Sequence, residues 1–325
     1  MKPIHAVSFS LAVCAAVAAQ PASAQTYPAK PIRLIVGFAP GGAADIISRI
    51  VGDPLGRALG QSIIIDNKPG AGSSLAVEFV SKAPPDGYTI LIASQSGMIV
   101  NPIINKNISY NTERDFAPVA RGVVNPLVLS VLPEVPARSV AELVALGKRE
   151  PGTIPFASAG STTATYFGVR LLEEASGARF LHVPYKGAGQ AYQGLFSGQI
   201  KFMLADMGTA IPHIRSGKLV ALAATYSTKM LPGVPTMAEL GYPDSDVSAV
   251  FSVVAPAATP RGIVEHMNAA INSVMKTPWL ASKLDEAVSI PVFEKPEQFA
   301  ATLRRDRGEG GAIVKRLDRK SAGEG

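Results

Sequence analysis

Residues 32–38 (IRLIVGF) form a continuous apolar run, the pattern of a strand covered on both faces. Ile46, Ile47, Ile50, Val51 and Leu55 then recur at helical spacing and predict an amphipathic helix over 45–59. Residues 62–67 (SIIIDN) predict a second strand, and residues 73–82 a helix with Leu75 and Phe79 four apart. Residues 88–94 (YTILIAS) predict a third strand. The order βαβαβ implies a parallel sheet with right-handed crossovers.

The pattern then recurs in kind. Residues 125–132 (NPLVLSVL) are strand-like, and Ser139 and Glu142 form a capping box for a helix running to about 148. TIPFAS leads into a small-residue turn and a helix, with Gly177 placed as its C-terminal stop. ARFLHVPY, IKFMLAD, LVALAAT and VSAVFSVVAP predict four more strands. Thr259 and Pro260 have the residue types of an N-cap and first position for a helix over 261–275. Two α/β units in series are followed by a helical tail. In that tail Gly308, Gly310 and Gly311 are expected to fray or kink a basic helix whose charges form a solvated face.

The 325 residues suffice for one large or two medium domains, and 47% apolar against 17% charged content favours a folded core. Lys2, an apolar stretch over about 6–19 and Ala22-Ser23-Ala24 have the layout of an export signal, predicting cleavage after Ala24 and a periplasmic, soluble mature chain. The apolar stretch is too short for a membrane anchor, and Val13 ahead of Cys14 disfavours a lipoprotein signal. Cys14 is the single cysteine, so the mature chain has no disulfide, thiol nucleophile or thiolate metal site. The charge of +6 comes without a dense basic run interleaved with aromatics, which argues against nucleic acid and suits a small anion.

Two turns carry the candidate chemistry. FAPGGAAD places Gly41, Gly42, Ala43 and Ala44 between a strand and a helix. One reading is a plain tight turn; the other is a helix N-terminus whose bare N–H groups meet an anion. ASAGSTTATYF repeats the device in the second unit and adds the hydroxyls of Ser158, Ser161, Thr162 and Thr163, which serve a ligand or simply cap the helix. A third strand end, ASQSGM, offers Ser94, Gln95 and Ser96. The dinucleotide fingerprint, the phosphate loop, the GxSxG elbow and HExxH are all missing, so no cofactor is expected. An exported α/β serine hydrolase, with Ser161, His182 and Asp206 assembled in space, is the enzyme alternative.

The chain resembles the extracytoplasmic solute-binding receptors of the tripartite tricarboxylate transporter family, the Bug receptors. The resemblance rests on YPAKPIRLIVGFAPGGAADIISR, FASAGSTTATYF, HVPYKGAGQAYQGLFSGQI, IPHIRSGKLVALAAT and LPGVPTMAELGYP, in that order across the mature chain. It implies an α/β, two-lobed periplasmic binding protein of the Venus-flytrap, type II-like kind, each lobe a mainly parallel sheet flanked by helices. It implies a non-enzymatic, monomeric receptor that closes on a small carboxylate and passes it to membrane transporter subunits. Residues 25–124 with 253–325 would form one lobe and 125–252 the other. Carboxylate capture through backbone amides maps onto Phe38, Pro40, Gly41, Gly42, Ala43, Ala44 and Asp45 in one loop, and Ala159, Gly160, Ser161, Thr162 and Thr163 in the other. Ser94, Ser96, Tyr185 and Asp206 complete the expected contacts, with Asp45 steadying the helix start or meeting a ligand amine. Tyr166 stands where the family often has histidine, Gly194 where it has aspartate, and Asp206 one place beyond the usual aspartate. Lys186 of PYKG is expected in a structural ion pair.

Overall fold

The computed structural model describes residues 27–245 and 247–321. The export signal expected over 1–24 and Cys14 lie outside them. Strand β1 (Ile32–Val36) pairs in parallel with β2 (Ile63–Asn67) and with β3 (Thr89–Ser94), giving the order 2-1-3 expected of βαβαβ. Helix α1 (Ala43–Leu59) begins two residues earlier than its apolar spacing suggested. Gly42 is its extended N-cap, so the chain turns helical immediately after the glycines. Gly60, in the left-handed region at φ 71, closes it.

Helix α2 (Ser74–Ser81) forms where expected, but it buries Ala76, Val77 and Val80. Leu75 and Phe79 face outward, and Lys68 and Arg33 lie over the Phe79 ring. Past the short helix α3 (Asn101–Ile104) comes the largest departure from the sequence reading. The strand expected over 125–132 is the second half of β4 (Phe116–Val131), sixteen residues long. Up to Pro126 it pairs with β9 (Ser248–Pro256) and β10 (Ile290–Pro291); from Leu127 it pairs with β7 (Phe202–Asp206) and β8 (Val220–Ala224). Gly122 is required in β4, because a Cβ there would meet the Phe251 carbonyl oxygen at 2.8 Å.

The second half of the molecule is built on β5 (Pro155–Ser158), parallel to β6 (Leu181–Pro184) and to β7. Each half therefore has a mixed sheet, a parallel run of three strands flanked by antiparallel ones. Helices α4 (Val140–Arg149), α5 (Ala164–Ser176), α6 (Ala188–Phe196) and α7 (Met207–Arg215) follow strands of this half. The capping box works: Glu142 N–H donates to Ser139 Oγ, while the Glu142 carboxylate accepts from Arg138 N–H. Phe156, Phe202, Leu172 and Leu195 are fully enclosed in this core. Ile32, Leu34, Met267 and Ile271 belong to the separate core between the first sheet, α1 and α8 (Arg261–Met275).

Two helix-end expectations fail. Pro260, not Thr259, caps α8, and the Thr259 hydroxyl is buried without a partner. The tail, beyond α9 (Pro278–Glu286), is one continuous helix, α10 (Pro296–Ser321), despite its three glycines. Buried Phe299, Val314 and Leu317 anchor it. Arg121 ties Asp306 at 3.3 Å, and Arg316 reaches Glu174 at 3.1 Å, so part of the charge run bridges to other elements rather than facing water.

Candidate functional site

The helix starts after β1, β5, β6 and β7 converge on one cleft. Ala43 and Ala44 of α1, Ala164 and Thr165 of α5 and Ala188 of α6 line it, as does Asp206, the N-cap of α7. Ala249, Val250 and Phe251 of β9 supply the floor beside the crossing strand, opposite Val123, Val124 and Asn125 of β4. The first N–H groups of a helix have no partner within it, and four such ends direct partial positive charge into one space. Small residues let a ligand approach them: Gly42 lies against Ala188 across the cleft, where a Cβ would sit 3.8 Å from the Ala188 nitrogen.

The walls touch directly. Ser96 Oγ and Thr162 Oγ1 are 2.5 Å apart, and Ala39 N–H donates to the Lys186 carbonyl at 3.4 Å. Most hydroxyls at the cleft are already engaged. Ser94 pairs with Ser73, and Thr163 Oγ1 donates to the Gly160 carbonyl and meets Thr165 Oγ1.

Of the residues expected from sequence, Phe38, Gly42, Ala43, Ala44, Ser94, Ser96, Ala159, Thr163 and Asp206 line this cleft. Gly160, Ser161 and Tyr185 line an adjoining groove that shares Phe38 and Ala159 with it. Thr162 faces a crevice against α10 while its hydroxyl holds Ser96. Pro40 and Gly41 are exposed beside the cleft. Asp45 points away from the cleft. Its carboxylate accepts from Gly41 N–H at 3.0 Å, from Arg49 and from Asn67. Burial pushes its pKa up, but the bonds from Arg49, Gly41 and Asn67 outweigh that and hold it below the usual carboxylate range. Of its two expected roles, Asp45 takes the one of steadying the helix start. Gln95, offered by the third strand end, also lines the cleft, whereas Ala164, Thr165, Ala188 and the β9 floor were not among the expected contacts. Ala188 follows a glycine after a strand, the same signal as Gly42; the β9 residues carry none, being ordinary strand positions.

Lys186 is exposed, and among the described residues it makes no ion pair, contrary to expectation; its carbonyl is what holds Ala39. Gly194 is explained locally, because the Tyr185 hydroxyl occupies the place of its Cβ. The Ser161–His182–Asp206 triad is not assembled: none of the three is hydrogen-bonded to another among the described residues. His182 Nε2 instead meets Ser158 Oγ at 2.7 Å, between the rings of Phe156 and Tyr166. Ser158 is wholly buried and accepts from Gly160 N–H, so no substrate can reach it. Burial, with the Arg170 charge, pulls His182 down to about 4.

Asp206 is the ionisable residue of the cleft lining, which holds no Lys, Arg or His among the described residues. It is 6% exposed, and its Oδ1 is shut from solvent with no hydrogen-bond partner. Burial pushes its pKa up to about 7. Its register partner is Leu127, next to the point where β4 passes between the sheets.

Two α/β halves joined by extended strands, with helix N-termini from both directed into the cleft between them, define a two-lobed periplasmic binding protein. The chain belongs to the tripartite tricarboxylate transporter family of receptors: residues 47–318 match the family described as "Tripartite tricarboxylate transporter family receptor". It is 35% identical to BugT of Bordetella pertussis over 305 residues, 93% of this chain and 94% of BugT. Among solved structures, it superposes on the periplasmic binding protein BugD with a TM-score of 0.85 at 28% identity, covering 90% of this chain and 99% of that one. An R. palustris protein solved with adipate gives 0.86 at 26%, covering 90% and 98%. MatC from Rhodopseudomonas palustris, solved with bound malate, gives 0.83 at 27%, covering 89% and 100%. These are solute-binding receptors rather than enzymes, and the hydrolase alternative has no support. No helix among the described residues is long and apolar enough to cross a membrane.

Proposed function

We propose that this chain, exported with cleavage after Ala24, captures a small carboxylate in the cleft as a monomer and delivers it to a membrane transporter of the tripartite tricarboxylate type. The observation that carries the reading is the convergence of helix N-termini from both halves on a cleft without a cationic side chain. An anion there is held by main-chain N–H groups and bridging water, while Phe38, Val250 and Phe251 cover its carbon skeleton. A micromolar dissociation constant corresponds to about −8 kcal/mol. A helix terminus contributes about 0.3–1 kcal/mol, so direct and water-mediated hydrogen bonds must supply most of it. Adipate and malate in the two neighbours support a carboxylate as the ligand class.

The lobes of this reading meet at Pro126–Leu127 of β4 and just ahead of Ser248 in β9, a few residues from the boundaries 124/125 and 252/253 expected from sequence. The change of pairing partner along β4 supports that placement. Thermal-shift screening of the chain from residue 25 against mono-, di- and tricarboxylates tests the reading, since a ligand of the folded state alone raises the melting temperature. Gly42→Asp and Ala159→Asp place a carboxylate where the ligand's would lie. Both variants should fold and lose the shift. Unchanged shifts in both would overturn the site.

A further inference from the structure

The cleft has two chemically opposite regions. The helix N-termini are donor-rich and demand an anion. Beside the floor sits Asp206, with an acceptor oxygen that nothing satisfies. Leaving a buried carboxylate oxygen unpaired is unfavourable, and no Lys, Arg or His of the cleft lining offsets its charge. The lining hydroxyls of Ser94, Ser96, Thr163 and Thr165 are paired elsewhere. Nor is the carboxylate needed for its own helix: Asp206 stands at the N-cap of α7, yet its side chain makes no capping bond. Tyr192, the titratable neighbour whose field it affects, spends its hydroxyl on Thr209 at 3.0 Å.

Building on the carboxylate reading above, we infer that Asp206 selects the second functional group of the ligand: a carboxylate that also carries an N–H or O–H donor, which Asp206 accepts at the floor of the cleft. A plain dicarboxylate is disfavoured, because its second carboxylate would face a buried like charge. An ammonium neutralises Asp206 and donates to its carboxylate; a hydroxyl or amide donates without neutralising it. The shared chemistry is the donor, and the two cases are separable by measurement.

The test is calorimetric titration at pH 8 of the chain from residue 25 with two matched series: butanoate, 4-hydroxybutanoate, 4-aminobutanoate and succinate, then hexanoate, 6-hydroxyhexanoate, 6-aminohexanoate and adipate. In at least one series the amino or hydroxy member should bind about tenfold or more tighter than both its parent acid and the dicarboxylate, as a hydrogen bond to a charged group implies. Preference for the amine over the alcohol identifies an ammonium site; the reverse identifies a neutral donor. In Asp206→Ala, which has no side-chain acceptor, the gap should close, and the dicarboxylate should gain affinity; in Asp206→Asn, which keeps an acceptor but no charge, any preference for the amine should shrink. Asp206→Val, also without an acceptor, gives the same reading if the first variant folds poorly.

A dicarboxylate that equals or beats the donor-bearing acids on the unsubstituted chain overturns the inference. So does a donor preference that survives in Asp206→Ala, or a wider carboxylate screen that finds only ligands lacking a donor. If no carboxylate of any kind binds, the carboxylate reading itself fails, and this inference with it.

Discussion

Asp206 also sets how stability responds to pH. Its pKa stands at about 7 in the folded chain, against an ordinary value of 3.8. An acid whose folded pKa is raised binds its proton more tightly in the folded state. Its stabilising effect is complete below about pH 4 and is lost as pH rises to about 7. A tenfold change in proton affinity is worth about 1.4 kcal/mol, so the window amounts to something on the order of 4 kcal/mol. His182, pulled down to about 4, acts oppositely: its contribution is lost as pH falls from about 6.5 towards 4. The unsubstituted chain therefore carries two opposed slopes. Urea unfolding of Asp206→Asn should give a stability difference that is near zero at pH 4, grows to favour the variant by pH 7, and is flat above. A difference independent of pH would mean that Asp206 is not held out of water. The small-residue turns at 41–44 and 157–163 were legible as helix starts after buried strands, and the fold brings Gly42, Ala43, Ala44, Ala159 and Thr163 of them to one cleft. The environment of Asp206 was not legible: its isolation depends on β4 and the helix start of α7 meeting across the fold, and no local spacing encodes that.

At the scale of elements, buried runs and one capping box were readable and interruptions misled. Apolar runs of five to seven residues ending in small ones marked β1 and β3, and the capping box marked α4. The first half of β4 was missed because Pro118 and Gly122 break its pattern. Pro118 sits beside a register shift where the ladder is already interrupted, and Pro126 at the change of sheet, so neither breaks a regular run of bonds. α10 was misjudged for a parallel reason: glycine lowers helix propensity locally, while burial of the helix's own Phe299 and Val314 and the ion pair from Arg121 to Asp306 hold it in place. Nothing lies within 4 Å of a Cβ at Gly308 or Gly310, whereas one at Gly311 meets Ile103 at 3.1 Å. Gly308→Ala and Gly310→Ala should each stabilise by about 0.5–1 kcal/mol in denaturant unfolding, and Gly311→Ala by less. Destabilisation by the first two would mean that the helix is not continuous there.

Across the whole molecule, contacts at the cleft and on the outside tie the two halves together, Arg316 with Glu174 among them. Ser96 with Thr162 and Ala39 with Lys186 join the cleft walls, and Lys229 reaches Asp285 at 3.3 Å on the outside. Gly208 of α7 lies so close to Ala287 that a Cβ would sit 2.2 Å from its carbonyl oxygen. Ligand affinity includes the free energy of bringing these surfaces together. Thr162→Val removes the hydroxyl pair while nearly preserving shape. It should weaken the affinity for the screened carboxylate by roughly threefold to tenfold and raise the radius of gyration of the ligand-free chain in X-ray scattering. No change in either would show that the pair does not hold the walls together. The strand order adds a consequence for how the chain assembles. β9 lies between β3 and β4, although it is made long after both. Until residues 248–256 arrive, the first sheet has a gap at its centre and two raw edges, so any chain cut short before Ser248 is left sticky where the finished protein is sealed.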